Sequence, residues 1–188
     1  DITIDFAGPV VFTGNDGETF TNNNLTGTFN KVVIKMGGGN DTIRSTSGND
    51  IVIWGPINID MGDGSNQLLW DSMNSITTGG ISFKGGDGNQ TFYLKPAAPS
   101  ATGGLNLSVA NGNLATSISK ILVTGNIRQT AKNGTVNSLI QDSSLSALIN
   151  LGIETSQTLK QTMLGGAIQS TATVGNATVD VQGGQING

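Results

Sequence analysis

The chain contains no cysteine and no histidine among its 188 residues. Without thiols there are no disulfide staples and no thiol nucleophile, so stability has to come from packing, stacking or bound ions. Without imidazole the usual zinc sites, the Ser-His-Asp triad and most general acid–base chemistry near neutral pH are excluded. Aromatic residues are few: six Phe, two Trp and one Tyr leave little material for a conventional sandwich core. Positive charge is also scarce, with nine Lys and Arg against thirteen Asp and Glu and a formal net charge of −4. The cations form no run or stripe, which argues against nucleic acid as a partner. No apolar run approaches the length of a membrane span.

What the chain has in abundance is glycine, 28 residues of it, and five of these fall in register. Gly14, Gly39, Gly64, Gly88 and Gly112 are separated by 25, 25, 24 and 24 residues. Their neighbours line up as well, with Asn15, Asn40, Ser65, Asn89 and Asn113 one step on, then Asp16, Asp41, Asn66, Gln90 and Leu114. Alternating apolar residues precede the glycines: Val32, Ile34 and Met36, then Ile57, Ile59 and Met61, then Ile81 and Phe83, then Leu105, Leu107 and Val109. Alternation of period two means strand. A second short run after each turn places Ile43, Leu68 and Phe92 in matching positions, and a third holds Ile51, Val52 and Ile53 with Ile76 one period later. A unit of this size cannot bury its own apolar face, but stacked units share one continuous core. The fold expected is all-β, a parallel β-helix or β-solenoid with coils of about 24–25 residues, with right-handed crossover as the prior. Stacking would place the asparagines after each glycine in a ladder running from coil to coil.

Along the chain, residues 1–30 read as an entry strand and an imperfect first coil, since Val10, Val11 and Phe12 precede Gly14 without clean alternation. Residues 31–134 form the regular coils. They are interrupted at 95–104, where Pro96 and Pro99 suggest a loop leaving the body, either functional or a tolerated insertion. Residues 135–188 read as a helical cap and a C-terminal strand within the same structural unit. Val136, Leu139, Ile140, Leu145, Leu148 and Ile149 fall near helical spacing, and Leu159 and Met163 mark a second candidate helix, with Gly152 and Gly165-Gly166 as stops. These helices would cover the last coil or form an assembly interface. The alternating tail around Ala177, Val179 and Val181 is expected to pair within its own sheet, donation to another subunit being the alternative.

Three turns combine glycine with side-chain oxygens: Gly37-Gly38-Gly39-Asn40-Asp41, Gly62-Asp63-Gly64-Ser65-Asn66 and Gly85-Gly86-Asp87-Gly88-Asn89-Gln90. Oxygen-rich turns suit calcium, and Asp41 is followed nine residues later by Asp50 in Ser47-Gly48-Asn49-Asp50. This stretch resembles the glycine-rich nonapeptide repeat of the haemolysin-type (RTX) calcium-binding family, whose turns bind calcium between coils of a parallel β-roll. The resemblance implies Asp41 and Asp50 as calcium ligands with the carbonyls of Gly37 and Gly39 nearby, and Asp63 and Asp87 as contributors from the other turns. The nine-residue step occurs once, and the Asp position becomes Asn66, Gln90 and Leu114 in later coils. The alternative is that Asp and Asn simply make the turns.

The function expected is non-enzymatic: a self-associating structural subunit of an extracellular fibre, matrix or surface layer, secreted or held at a cell surface. The strand-like opening at Asp1 and the Thr-, Ser-, Asn- and Gly-rich composition suit a mature exported product. The alternative is a calcium-binding, RTX-like adhesin or secretion module with glycan or cell-surface contacts. A third reading is a polysaccharide-active β-helix enzyme. It would draw on Asp60, Asp63, Asp71 and Asp87, with Trp70 and Tyr93 as sugar platforms, but no spacing singles out a carboxylate pair. Threonines do not recur at the coil period, so an ice-binding array is not supported, and sequons such as Asn106 arise readily in so Asn- and Thr-rich a chain.

Overall fold

The computed structural model describes residues 10–13, 19–22, 25–27, 31–45, 48, 50–152, 154–160, 163–164, 168–172, 175–182 and 185–186. Among these all regular structure is β, and the strands build an 11-stranded and an 8-stranded sheet in which neighbours pair in parallel. The chain is a β-solenoid, as its period implied.

One coil shows how the sequence dictates the path. Asp50–Gly62 is a long strand, broken in register between Ile53 and Pro56, so that it runs as two straight segments around a bend at Trp54, Gly55 and Pro56. A tight turn through Asp63, Gly64 and Ser65 leads into Asn66–Trp70, and a second turn leads to Ser75–Asp87, which lies directly on Asp50–Gly62. Inward positions alternate with outward ones: Ile51, Ile53, Ile57, Ile59 and Met61 are buried in the first strand, and Asn66, Leu68 and Trp70 in the second. Parallel register then sets like on like. Ile34, Ile59, Phe83 and Leu107 form one interior row, and Phe83 meets Phe92 of the opposite wall edge to face with ring centroids 5.6 Å apart.

The coils shorten along the chain. Thr42 faces Gln67, 25 residues on; Asn66 faces Gln90, 24 on; Leu114 faces Val136, 22 on; Thr135 faces Glu154, 19 on. The first coil is only partly described, with Val10–Thr13, Thr19–Asn22 and Leu25–Gly27 paired to the next one. The expected strand through Ile2, Ile4 and Phe6, and the turn at Gly14, Asn15 and Asp16, lie outside the described residues.

Two expectations need correction. The candidate helices of the last third are strands: Thr135–Gln141, Ser144–Gly152, Glu154–Lys160 and Met163–Leu164 continue both sheets, and no helix occurs among the described residues. The adjacent pair Leu139 and Ile140 simulated helical spacing. In the structure Val136, Ser138 and Ile140 point inward and are buried, while Leu139 lies on the other face. The preceding coil supplies a ready edge of hydrogen-bonding groups, and pairing to it overrides local periodicity. Gly152 accordingly ends a strand, and Gly165 and Gly166 fall outside the described residues. The segment after Leu94 also does not leave the body. Lys95, Ala97 and Ala98 donate backbone hydrogen bonds to Trp70, Met73 and Asn74 at 2.9, 3.0 and 2.8 Å, and Pro96 is buried, so this stretch is the second turn of its coil. Ala177–Gln182 does pair within its own sheet, against Glu154–Lys160.

The turn glycines are required by close approach. Gly64 has φ 116°, and a Cβ there would sit 1.8 Å from the carbonyl oxygen of Gly39 one coil away. Gly64→Val should therefore lose on the order of 3 kcal/mol, read as a drop in thermal midpoint. Gly48, with φ 78° but nothing within 4 Å of a Cβ, is a matched control. Gly48→Ala should cost only about 1–2 kcal/mol from the backbone conformation. Equal melting of wild type and Gly64→Val would contradict the stacking described.

Candidate functional site

The glycine turns stack into one corner of the solenoid, and each position in the turn becomes a row. Immediately after each glycine, Asn40, Ser65, Asn89, Asn113 and Thr135 form the expected ladder, but its bonds run from side chain to main chain. Asn40 Oδ1 accepts from Ser65 N at 2.8 Å, Asn89 Oδ1 from Asn113 N at 3.2 Å, and Asn113 Oδ1 from Thr135 N at 3.0 Å and from its hydroxyl at 2.7 Å. Each amide thus takes up a turn N–H that the tight bend leaves without a strand partner.

The next position points inward. Asp41, Asn66, Gln90, Leu114 and Val136 occupy successive rungs of this row, and all five are buried. Asn66 Oδ1 accepts from Asp41 N at 2.8 Å, and its Nδ2 donates to the carbonyls of Met61 and Gly62 at 3.2 and 3.3 Å. Gln90 Nε2 reaches the carbonyl of Gly64 at 2.8 Å. These side chains satisfy turn carbonyls from inside the barrel wall. Once Leu114 and Val136 take the place, the row becomes part of the apolar core.

The position before each glycine points out, and here Asp63 and Asp87 meet. Asp63 Oδ1 accepts the backbone N–H of Asp87 at 2.8 Å. Asp87 Oδ1 in turn accepts from Asn111 Nδ2, and Asn111 Oδ1 from Asn133 Nδ2. Two like charges one strand spacing apart, about 4.8 Å, repel. Exposure to water and these donors offset the repulsion, and the row turns from acidic to neutral after two coils.

Of the four aspartates proposed as calcium ligands, the structure brings together Asp63 and Asp87 and separates the others. Asp41 is buried inside the turn corner, while Asp50 lies beyond the far end of Thr42–Ser45, the strand that follows Asp41. Asp63 and Asp87 are both exposed and each keeps a second carboxylate oxygen outside the bonds just described. Among the described residues no group of three or more acidic side chains converges as a metal cluster.

The carboxylates and rings considered for sugar chemistry are dispersed. Asp60 pairs with Lys84 on the next coil at 3.6 Å, and Asp71 accepts from the Ser72 hydroxyl on the second turn. Trp70 is only 2% exposed and belongs to the core, so it is no sugar platform. Tyr93 has one ring face covered by Lys95 Nζ, 4.3 Å from the ring centroid. The aromatic that does stand in solvent is Trp54, 72% exposed at the bend. Sequence reasoning passed over it, although its outward place in the Ile51, Ile53 alternation and the following Gly55-Pro56 were legible signals.

No known family, no curated protein and no solved structure matches this chain.

One titrating group is tied to the stack. Asp50 Oδ1 accepts from Ser75 Oγ at 2.6 Å and Asn74 Nδ2 at 3.0 Å, one coil on, and these donors hold its carboxyl below the ordinary value of 3.8. A depressed carboxyl stabilises the fold above the unfolded-state value, and this contribution disappears as pH falls through the lower, folded-state value. Between about pH 5 and about pH 2, wild-type protein should therefore lose more thermal stability than Asp50→Asn, which keeps an acceptor but cannot titrate. Parallel curves for the two proteins would show that these bonds do not discriminate the charged form.

Proposed function

We propose that this chain is a non-enzymatic structural protein, a self-associating subunit of a fibre, matrix or layer outside the cell. The observation that carries this reading is the strand Ala177–Gln182. It stands at one end of the eight-stranded sheet order, pairs with Glu154–Lys160, and presents exposed residues, with Val179 38% exposed. An edge strand of this kind templates addition of another strand, and a head-to-tail contact that does not close generates a filament. Support also comes from how the polar side chains are used. The amides of the turn corner are spent on bonds between coils, which suits a scaffold.

The second reading, a calcium-binding RTX-like adhesin or secretion module, is favoured by one feature, the exposed stack of Asp63 and Asp87. Two carboxylates on adjacent coils would supply part of the six to eight oxygens that calcium takes, the remainder coming from turn carbonyls and water.

Negative-stain electron microscopy of the purified chain, with calcium and with chelator, separates the two. The structural reading expects filaments or sheets in both conditions, and expects Val179→Lys to disperse them without lowering the melting temperature, because a lysine blunts an exposed edge. Dispersed particles in both conditions would overturn it. Assembly or thermal stabilisation that appears only with calcium, and is lost in Asp87→Asn, would establish the second reading instead.

A further inference from the structure

At the bend of the long strands, opposite in role to the turn corner, the backbones of successive coils approach so closely that side chains are excluded. A Cβ on Gly103 would lie 2.0 Å from the carbonyl oxygen of Gly79. The bend thus sinks into a groove of about 440 Å³, floored by Gly79, Gly80 and Gly104. Its wall is a row of outward side chains in strict register, Asn58, Ser82, Asn106 and Arg128, with Asn126 beside it. Asn106, Asn126 and Arg128 are exposed, and no ion pair engages Arg128 among the described residues. Trp54 stands at the end of this groove, two residues before Pro56, which lines it, and the Trp54 carbonyl packs against Gly79 of the floor. Its indole is left to solvent, although a ring of that size gains by covering apolar surface.

We propose that this groove binds an extended, carboxylate-bearing polysaccharide chain lying along the solenoid axis. Trp54 offers a flat apolar face for the C–H side of a sugar ring, amides and a hydroxyl spaced by one coil address successive hydroxyl groups, and Arg128 takes a uronate carboxylate in a forked pair. The four rungs from Asn58 to Arg128 span about 14 Å at the usual strand spacing, the reach of a short oligosaccharide. No acidic residue lines the groove, so a carboxylate meets no local repulsion there despite the negative net charge of the whole chain. Shallow, open, polar grooves bordered by one aromatic ring suit hydrated chains better than compact apolar ligands. The inference rests on the extracellular setting proposed above but not on self-association.

The test is titration calorimetry of the full chain with two probes, a hexamer of galacturonate and a neutral hexamer of glucose. The uronate is expected to bind at least about tenfold more tightly than the glucan, with an affinity that falls with added salt. Arg128→Gln should erase the difference between the probes, Trp54→Ala should weaken both by at least about tenfold, and Asn106→Ala should weaken both more mildly. Circular dichroism melts of these surface variants should match wild type. Absence of binding by either probe, or binding unchanged in Trp54→Ala and Arg128→Gln, would overturn the proposal. Filaments that still form in those variants would show that the groove had failed and the assembly reading had not.

Discussion

Parallel in-register pairing between coils is the constraint from which the rest of this molecule follows. Every strand hydrogen-bonds to the equivalent strand one coil away, so each side chain has as its nearest neighbour the residue at the same place in the preceding coil. Apolar positions then become continuous rows, and polar positions must either bond along the row or face water. The chain satisfies this rule at the turn corner with amides, at the bend with glycine, and at the second turn with serine hydroxyls that cap backbone N–H groups, as Ser100 does for Ile76 at 2.9 Å. One polar crossing lies in the interior itself. Gln129 follows Leu107 in an otherwise apolar row, and bridges to the opposite wall by accepting from Thr116 Oγ at 2.8 Å and donating to Ser138 Oγ at 2.9 Å. Being fully paired, it costs little for a buried amide.

How far the sequence disclosed this depended on whether a feature repeated. The spacing of Gly39, Gly64, Gly88 and Gly112, with alternation before each, was enough to specify coil, turn and inward face. Beyond Gly112 the coil shortens, so Gly134, which stacks on Gly112, did not present itself as the next member. With the period lost, local spacing around Leu139 and Leu148 suggested helices. The physical reason is that register in a solenoid is set by an edge already formed, and an edge is invisible to a window of eleven or so residues. The proline-containing stretch misled in a similar way. Pro96 and Pro99 lack donors, but the turn uses the N–H groups of Lys95, Ala97 and Ala98 instead.

The candidate site was legible in composition and not in geometry. Asp63 and Asp87 were recognisable as equivalent because both precede a repeat glycine, and they do stack. Asp41 and Asp50 were linked by a nine-residue step, but in a coil with three straight segments nine residues cross from one corner toward another, so the step does not bring them together. Direction in or out was equally decisive for the aromatic residues. Trp70 falls on an inward position and disappears into the core, whereas Trp54 falls on an outward one.

Inequality among the coils has a consequence of its own. A stack of identical units can slip by one unit with almost no loss, and such chains are prone to mispairing while they fold. Here the row inside the turn corner reads Asp41, Asn66, Gln90, Leu114 and Val136, and the coil circumference falls from 25 to 19 residues over the same stretch. Each layer therefore carries its own address. A one-layer slip would bury the Gln90 amide against the wrong carbonyl or set an aliphatic chain where a turn needs a donor, and the mismatch in circumference would strain every bend. The gradient acts as a vernier scale: it permits one alignment of the whole ladder, and it gives a newly formed layer a single acceptable successor.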